Sequence, residues 1–332
     1  MRDEELSPLL QLLPDELATR FVHADAAVRR IALAGIAEEE DPELLPLIVA
    51  ALSDSAVEVR REAAQRLAGR DDDEVVAALA EALRDDDATV RAAVAQSLTE
   101  LKRAEVARPL VPLIGDPDAF VRTAALRALR ELRVADAFEP TLSRLSDTEA
   151  DVRREAVAVL GWLRRDEALQ GIATLAVSDA DAEVRRVASS ALGYTRDAAV
   201  LPALLEALRD EEWQVREEAA GTLGKLRFVE AVPQLVDALT DSRWQVALRA
   251  ARALGRTLKD APQAGATDAL VVSLASPVPN LRREAALALG ETGDRRALPA
   301  LLAAATDSDP EVRKAVRLAL GQIEAAVLER PQ

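Results

Sequence analysis

The chain repeats one pattern of apolar and polar positions ten times in succession. Its fixed point is an apolar residue, normally followed by Arg, which we call the anchor. The anchors are Val28, Val59, Val90, Val121, Val152, Val184, Val215, Val246, Leu281 and Val312. Successive anchors lie 31 residues apart, except for steps of 32 after Val152 and 35 after Val246. A fixed period of this length is typical of repeat proteins, in which each supersecondary unit contacts mainly its neighbours.

Each repeat predicts two helices. In the seventh repeat, Pro202 marks the start of a first helix, because the N–H that proline lacks is unpaired there anyway. Asp210 then opens a turn. A second helix carries an apolar face at i, i+4 and i+8, formed by Val215, Ala219 and Leu223. Gly224 is expected to end it in a left-handed conformation. The equivalent residues elsewhere are Pro46, Pro233 and Pro299, and Gly161, Gly193, Gly255, Gly290 and Gly321.

Two charged positions also recur, an Asp five residues before the anchor and an Arg one residue after it. They include Asp54, Arg60, Asp116, Arg122, Asp147, Arg153, Asp210 and Arg216. Donor and acceptor keep a fixed offset, so we expect a ladder of charge-assisted hydrogen bonds. We prefer this structural role to catalysis, which does not need nine copies. Ala247 replaces the Arg of the eighth repeat, so Asp241 is expected to lack its partner.

A third recurring position, three residues before the anchor, predicts the N-cap of the second helix. The aspartates at this position are Asp25, Asp87, Asp118, Asp181 and Asp309.

The motif D-x-x-x-x-V-R-x-x-A-x-x-x-L-G, after a Leu-rich helix that begins with Pro, resembles HEAT repeats of the short, phycobilisome-lyase type over roughly residues 16–325. The resemblance implies an all-α, right-handed α-solenoid of about ten 31-residue repeats. It also implies that second helices line the concave side. We therefore expect one elongated domain over residues 1–332, with an N-terminal cap at about 1–23, repeats at about 24–322 and a C-terminal cap at about 323–332.

The main departure from the pattern is in the seventh and eighth repeats. Trp213 and Trp244 both lie two residues before their anchors, and the resemblance places Arg249 and Arg252 on the concave wall. Trp is enriched at binding hot spots. The predicted partner-binding patch is Trp213, Gln214, Trp244, Gln245, Arg249 and Arg252. The alternative is that the tryptophans cover a turn while the arginines balance nearby glutamates. Four extra residues then predict a longer loop within 259–268.

A second row of unusual residues lies ten positions after the anchors of repeats five to eight. It consists of Trp162, Tyr194, Lys225 and Arg256. This position is at the edge where one repeat ends and the next begins. We interpret the row as structural packing.

Composition limits the possible chemistry. The chain has no Cys, so disulfides and thiolate nucleophiles are excluded. Its one histidine, His23, occupies the ladder Asp position of the first repeat, and we expect it to bond the turn. No Gly-rich phosphate loop occurs. We therefore expect no catalytic residue, no metal site and no cofactor. The start of the chain shows no signal peptide and no stretch approaches a membrane span, which favours a cytoplasmic protein without membrane contact.

A net charge of −16 disfavours nucleic acid as a partner overall. We expect a non-enzymatic scaffold or assembly module, a monomer or weak oligomer, that binds an acidic or apolar segment of another protein on its concave face. Two alternatives stay open. One is a bilin-lyase-like factor or assembly chaperone that handles a tetrapyrrole. The other is nucleic-acid binding through the eighth repeat, where residues 241–260 carry five basic and two acidic side chains.

Overall fold

The computed structural model describes residues 8–38, 41–259 and 262–328, and all regular secondary structure in these ranges is helical. Contacts divide the chain into two compact units, Met1–Leu163 and Arg164–Gln332, which we call the N-terminal unit and the C-terminal unit. Each unit contains five helical pairs stacked on one another, so each is an all-α solenoid. The expected continuity of one elongated domain and the right-handed twist stay predictions.

The second helices of the repeats carry the anchors. In chain order they are Ala26–Glu38, Val57–Arg66, Ala88–Leu98, Ala119–Leu129, Ala150–Leu163, Ala182–Ala191, Trp213–Leu226, Trp244–Thr257, Pro279–Thr292 and Pro310–Leu328. Within each unit, every second helix packs against the second helix of the next repeat.

The first helices are shorter. The α-helical ones are Asp15–Phe21, Leu45–Ala50, Asp73–Ala82, Phe138–Leu142, Leu169–Ser178, Leu201–Ala207, Val232–Ala238, Ala264–Ser273 and Leu298–Ala304. Repeat four instead has two 3₁₀ segments, Glu105–Leu110 and Pro112–Gly115. Pro109 and Pro112 explain this, because two prolines three residues apart remove the donors that an α-helical turn requires.

Short 3₁₀ turns flank many of these helices. They are Pro42–Leu44, Ala51–Ser53, Ala135–Ala137, Ser143–Ser146, Asp166–Ala168, Leu192–Tyr194, Ala198–Val200, Val229–Ala231 and Arg295–Ala297.

The predicted apolar face of the second helices forms the core. In repeats two to nine the anchor and the residues four and eight positions after it are all buried. In repeat seven these are Val215, Ala219 and Leu223, each 0% exposed. Small residues at the middle position allow the helix axes to approach closely.

The expected helix starts are confirmed. The prolines of repeats two, seven, eight and ten all lie in the first turn of their first helix. The predicted N-cap aspartates accept backbone N–H bonds from the first turn of the second helix, as Asp181 does from Glu183 and Val184 at 2.9 and 3.0 Å. Pro14 is the residue before the helix Asp15–Phe21. Its missing N–H fits that position better than a helix interior.

The glycines were expected to end the second helices in a left-handed conformation, and this was wrong, because none of them has a positive φ and all except Gly193 lie inside their helices. Gly224 is buried inside the helix Trp213–Leu226, which continues past it. A Cβ on Gly224 would lie 2.7 Å from the Cα of Ala253 on the neighbouring helix. Gly255 and Gly290 approach Ala288 and Ala319 in the same way. Glycine is therefore needed for close contact between helices of successive repeats and not for a left-handed backbone.

The ladder joins successive repeats. In repeat seven, the Nη1 of Arg216 donates to the carbonyls of Asp210 and Glu211 in its own turn, at 2.8 and 3.0 Å. Its Nε and Nη2 donate to both carboxylate oxygens of Asp241, 25 residues later, at 2.7 and 2.9 Å. Asp241 in turn accepts from the backbone N–H of Arg243 at 2.8 Å. Each such arginine therefore ties its own turn to the turn of the next repeat.

Other Arg–Asp pairs of the ladder, which we call rungs, repeat this geometry. The two-point pairs are Arg29–Asp54, Arg60–Asp85, Arg185–Asp210 and Arg282–Asp307, with a one-point bond from Arg122 to Asp147. Arg153 donates to the carbonyls of Asp147 and Thr148 in its own turn. Asp116 is bound by Arg84 at 2.8 Å, while Arg91 lies over the Phe120 ring at 5.6 Å.

Asp241 does not lack a partner, contrary to the expectation from Ala247. The expectation failed because the arginine bonds the aspartate of the following repeat. The rung that Ala247 removes is the one to repeat nine, where Ser276 replaces the Asp. Donor and acceptor are therefore missing together, and neither is left unpaired.

We predict opposite effects for two Gly→Ala substitutions at the same repeat position. Gly224→Ala places a methyl group against the Ala253 backbone and lowers the free energy of unfolding by about 1–3 kcal/mol. A Cβ on Gly321, in the last repeat, would meet no neighbouring residue within 4 Å, so Gly321→Ala raises the free energy of unfolding by about 0.5–1 kcal/mol through helix propensity. Urea denaturation measures both. Equal effects would mean that the close contact is not what requires Gly224.

We predict that the ladder makes the free energy of unfolding depend on pH in the acidic range. The hydrogen bond from Arg60, opposed by desolvation, lowers the pKa of Asp85 below its ordinary value. This contribution is present above the unfolded-state pKa and is lost as pH falls through the lower folded-state pKa. Arg60→Ala therefore costs about 2 kcal/mol at pH 7, and less as the pH approaches 3.

The measurement is urea denaturation at pH values from 7 to 3. The control is Arg256→Ala, since Arg256 is exposed and has no ion pair in the described chain. A loss for Arg60→Ala that stays constant over this pH range would contradict the assignment to Asp85.

Candidate protein-binding surface

The two predicted tryptophans occupy the same structural position in adjacent repeats. Trp213 and Trp244 are the first residues of their helices, Trp213–Leu226 and Trp244–Thr257, which pack against each other. Trp213 is half-buried, while Trp244 is 39% exposed, a large fraction for an indole. Neither residue is enclosed by the core, and both present apolar area at the start of a helix.

The glutamines beside them differ in environment. Gln214 is exposed, whereas Gln245 is half-buried. The side-chain oxygen of Gln245 is buried and accepts no hydrogen bond from the described residues. Gln214 is thus the more accessible amide of this surface.

The two predicted arginines are both engaged by glutamates of adjacent repeats. The Nε of Arg249 donates to Glu217 at 3.1 Å, and the arginine side chain remains 43% exposed. Arg252 binds both carboxylate oxygens of Glu284, at 2.7 and 2.8 Å, and Glu284 is buried. The bond to Glu284, opposed by desolvation, raises the pKa of Arg252.

These pairs belong to a wider pattern on the second helices. Arg30–Glu62 at 3.5 Å, Arg127–Glu155 at 3.2 Å and Arg186–Glu218 at 3.6 Å join neighbouring helices in the same way. Two of the five basic residues of repeat eight, Arg249 and Arg252, are therefore paired with glutamates. The surface can offer aromatic area, an amide and the exposed part of Arg249.

An apolar cleft lies beside the position of the missing Arg–Asp pair. It measures about 570 Å³ and lies between the first helices of repeats eight and nine, lined by Val236, Leu239, Val272 and Leu281 among others. The loop expected within 259–268 precedes it, and residues 260 and 261 lie outside the described residues. The described part shows the helix Ala264–Ser273 beginning inside that range.

The two aromatic residues of the second unusual row, Trp162 and Tyr194, have cations stacked over their rings. The guanidinium of Arg133 lies 5.4 Å from the centre of the Trp162 ring. In the C-terminal unit, Arg164 lies 5.4 Å and the Lys225 ammonium 4.2 Å from the centre of the Tyr194 ring. The arginines were missed in the sequence, although they share one position, twelve residues after the anchor. That shared position was the signal that could have identified them.

His23 lies where the ladder Asp occurs in other repeats. Its Nδ1 accepts the backbone N–H of Asp25 at 3.0 Å, so it bonds the turn as expected. Among the described residues, no group of three or more His, Cys, Asp or Glu side chains is placed to hold a metal ion. The described helices include none with the length and apolar character needed to cross a bilayer.

Among solved structures, the chain is similar to an engineered protein, with 22% identity, 98% of this chain and 99% of that chain covered, and a TM-score of 0.54. It is also similar to Kap95p in its structures with RanGDP and with Nup1. Identity is 16% and 14%, coverage is 99% and 98% of this chain, and the TM-score is 0.63 in both. The chain spans about half of Kap95p, 51%. These likenesses show the fold.

No protein of curated function matches the chain. A family model described as HEAT repeats matches almost its whole length, in seven overlapping segments: residues 13–99, 77–160, 107–193, 138–219, 170–255, 201–278 and 267–329. The chain therefore belongs to the family of HEAT-repeat proteins.

Proposed function

We propose that this protein is a non-enzymatic scaffold that binds a segment of another protein through the surface formed by Trp213, Gln214, Trp244, Gln245 and Arg249. The observation that carries the proposal is the exposure of Trp244 at the start of a well-packed helix. An indole in that place is not needed by the core, and Trp provides much contact area together with one hydrogen-bond donor.

A second observation supports this proposal: the turns that precede the two tryptophans are held in place. Arg216 and Asp241 tie the turn that precedes Trp213 to the turn that precedes Trp244. The two indoles are therefore presented by turns that are already fixed, so little conformational entropy is lost when a partner binds. Kap95p, which has the same fold, is named in complexes with RanGDP and Nup1, which are proteins. This supports a protein partner for the present chain.

The partner segment that fits this surface is apolar with an acidic residue beside it. The tryptophans provide the apolar contact, and the exposed part of Arg249 provides the charge. We assign Arg252 to the structure instead, because releasing it would leave the buried Glu284 without its cation. The same argument weakens the tetrapyrrole and nucleic-acid alternatives at Arg252, since a propionate or phosphate bound there would have to displace the buried Glu284.

A catalytic role has little support. The one histidine is engaged in a turn, and the chain has no cysteine. The assignments of the surface to a concave face, of the protein to the cytoplasm, and of a monomeric or weakly oligomeric state stay predictions.

We predict that Trp213→Ala combined with Trp244→Ala weakens partner binding at least about 30-fold, the effect of losing a hot spot. Partners captured from native lysate are identified, purified and titrated by calorimetry. The matched control is Phe120→Ala, because Phe120 in repeat four is an aromatic residue 38% exposed, close to the 39% of Trp244. Unchanged affinity in the double variant would show that the partner binds elsewhere.

We predict that the two arginines separate into different roles. Arg252→Gln leaves the buried Glu284 without its cation and lowers the free energy of unfolding by about 1–3 kcal/mol. Arg249→Gln affects an exposed pair and changes stability by less than about 1 kcal/mol, while weakening partner binding. Urea denaturation and calorimetric titration measure the two effects. Equal losses of stability would contradict the division.

A further inference from the structure

One row of basic residues follows a single repeat position. Twelve residues after the anchor, repeats four to seven all carry Arg: Arg133, Arg164, Arg196 and Arg227. The last three belong to the C-terminal unit. There, Arg164, Arg196 and Arg227 line one open cleft of about 690 Å³ together with Lys225 and Tyr194. Four cations thus converge on one cavity.

The charge of this cleft is only partly offset by the protein, through the charge of Glu218 acting on Lys225. In the described part of the chain, none of these four side chains forms an ion pair with a carboxylate, unlike the arginines of the ladder and of the second helices. The nearby acids are engaged elsewhere. Asp197 accepts the backbone N–H of Ala199 at 2.9 Å, and Glu218 pairs with Arg186 at 3.6 Å.

Two of the cations are held close to each other by one aromatic ring. The Lys225 ammonium and the Arg164 guanidinium both lie over Tyr194, at 4.2 and 5.4 Å from the ring centre. Desolvation, and then the charge of Arg164, lower the pKa of Lys225. An anion in the cleft would offset this repulsion.

The backbone conformation at Arg164 and Arg227 also indicates that these side chains serve a role beyond the fold. Arg164 and Arg227 have φ of 54° and 60°, in the left-handed region that favours glycine. The equivalent residue of repeat nine is Gly293, with φ of 66°. The fold requires this backbone conformation at both places, and glycine meets the requirement without strain. Arginine is therefore not explained by the backbone, which leaves its guanidinium as the reason for its presence.

We propose that this cleft binds a phosphate monoester group. Such a group carries close to two negative charges and several strong acceptor oxygens, so it can satisfy several guanidinium groups and an ammonium together. A carboxylate has one charge and two oxygens, and fits four cations less well. Two sources carry this chemistry, a phosphorylated side chain of a partner protein and a phosphorylated small molecule, and the test distinguishes them. This site is separate from the tryptophan surface and does not depend on it.

The test is calorimetric titration of the full chain with three probes: inorganic phosphate, free phosphoserine, and a short phosphoserine peptide with its glutamate-substituted counterpart. We expect saturable binding of the phosphate probes and at least about tenfold weaker binding of the glutamate peptide. A peptide that binds at least about tenfold more tightly than free phosphoserine indicates a protein partner. Equal affinities indicate a small molecule, and both results support the proposal.

The variants remove charge without harming the fold. Arg164→Gly together with Arg227→Gly should weaken phosphate binding at least about tenfold while the Tm stays unchanged or rises, because glycine relieves the left-handed strain. Lys225→Gln should weaken binding by a smaller factor. The control is Arg256→Ala, at the same repeat position as Lys225 and outside the cleft.

Four outcomes would overturn the proposal. They are no saturable phosphate binding, equal affinity for the phosphoserine and glutamate peptides, unchanged binding in the double glycine variant, and tighter, steeply salt-dependent binding of duplex DNA by the same residues. The last would assign the cleft to nucleic acid.

Discussion

The fold depends on an arginine that bonds two repeats at once. One edge of the Arg216 guanidinium donates to carbonyls of its own turn, and the other edge donates to Asp241 of the next repeat. Asp241 in turn accepts a backbone N–H of the turn that follows it. No repeat can complete this arrangement alone. The side chains of these pairs are only partly exposed, so solvent competes less with the bonds than at an open surface. Both the fixed spacing and the recurrence of Asp and Arg follow from this single requirement.

A second constraint acts at the other end of the same helices. Gly224, Gly255 and Gly290 lie against the backbone of the neighbouring helix, where a methyl group would overlap. The ladder and these close contacts together fix how one repeat sits on the next within each unit. The exposed positions between them are free of these requirements, and Trp244, which we propose as a binding residue, lies at such a position.

Charge is arranged differently on the two surfaces that we single out. On the second helices, arginines and glutamates of adjacent repeats cancel each other, as Arg252 and Glu284 do. The tryptophan surface is therefore mainly apolar, although the sequence of repeat eight is basic. At the edge between repeats six and seven, Arg196, Lys225 and Arg227 have no such counterparts in the described structure. A scaffold with both surfaces can combine apolar contact at one place with recognition of phosphate at another.

The sequence by itself determined the helical pairs, the buried face and the N-caps, because these depend on residues within a few positions of each other. Tertiary structure decided which groups meet across repeats, since that depends on how helices stack over separations of 25–32 residues. For this reason Asp241 was expected to lack a partner, which was wrong, and Gly224 was assigned the wrong role. The pairing of Arg252 with Glu284, and the convergence of Arg164 and Lys225 on one ring, were likewise fixed only when neighbouring repeats packed together.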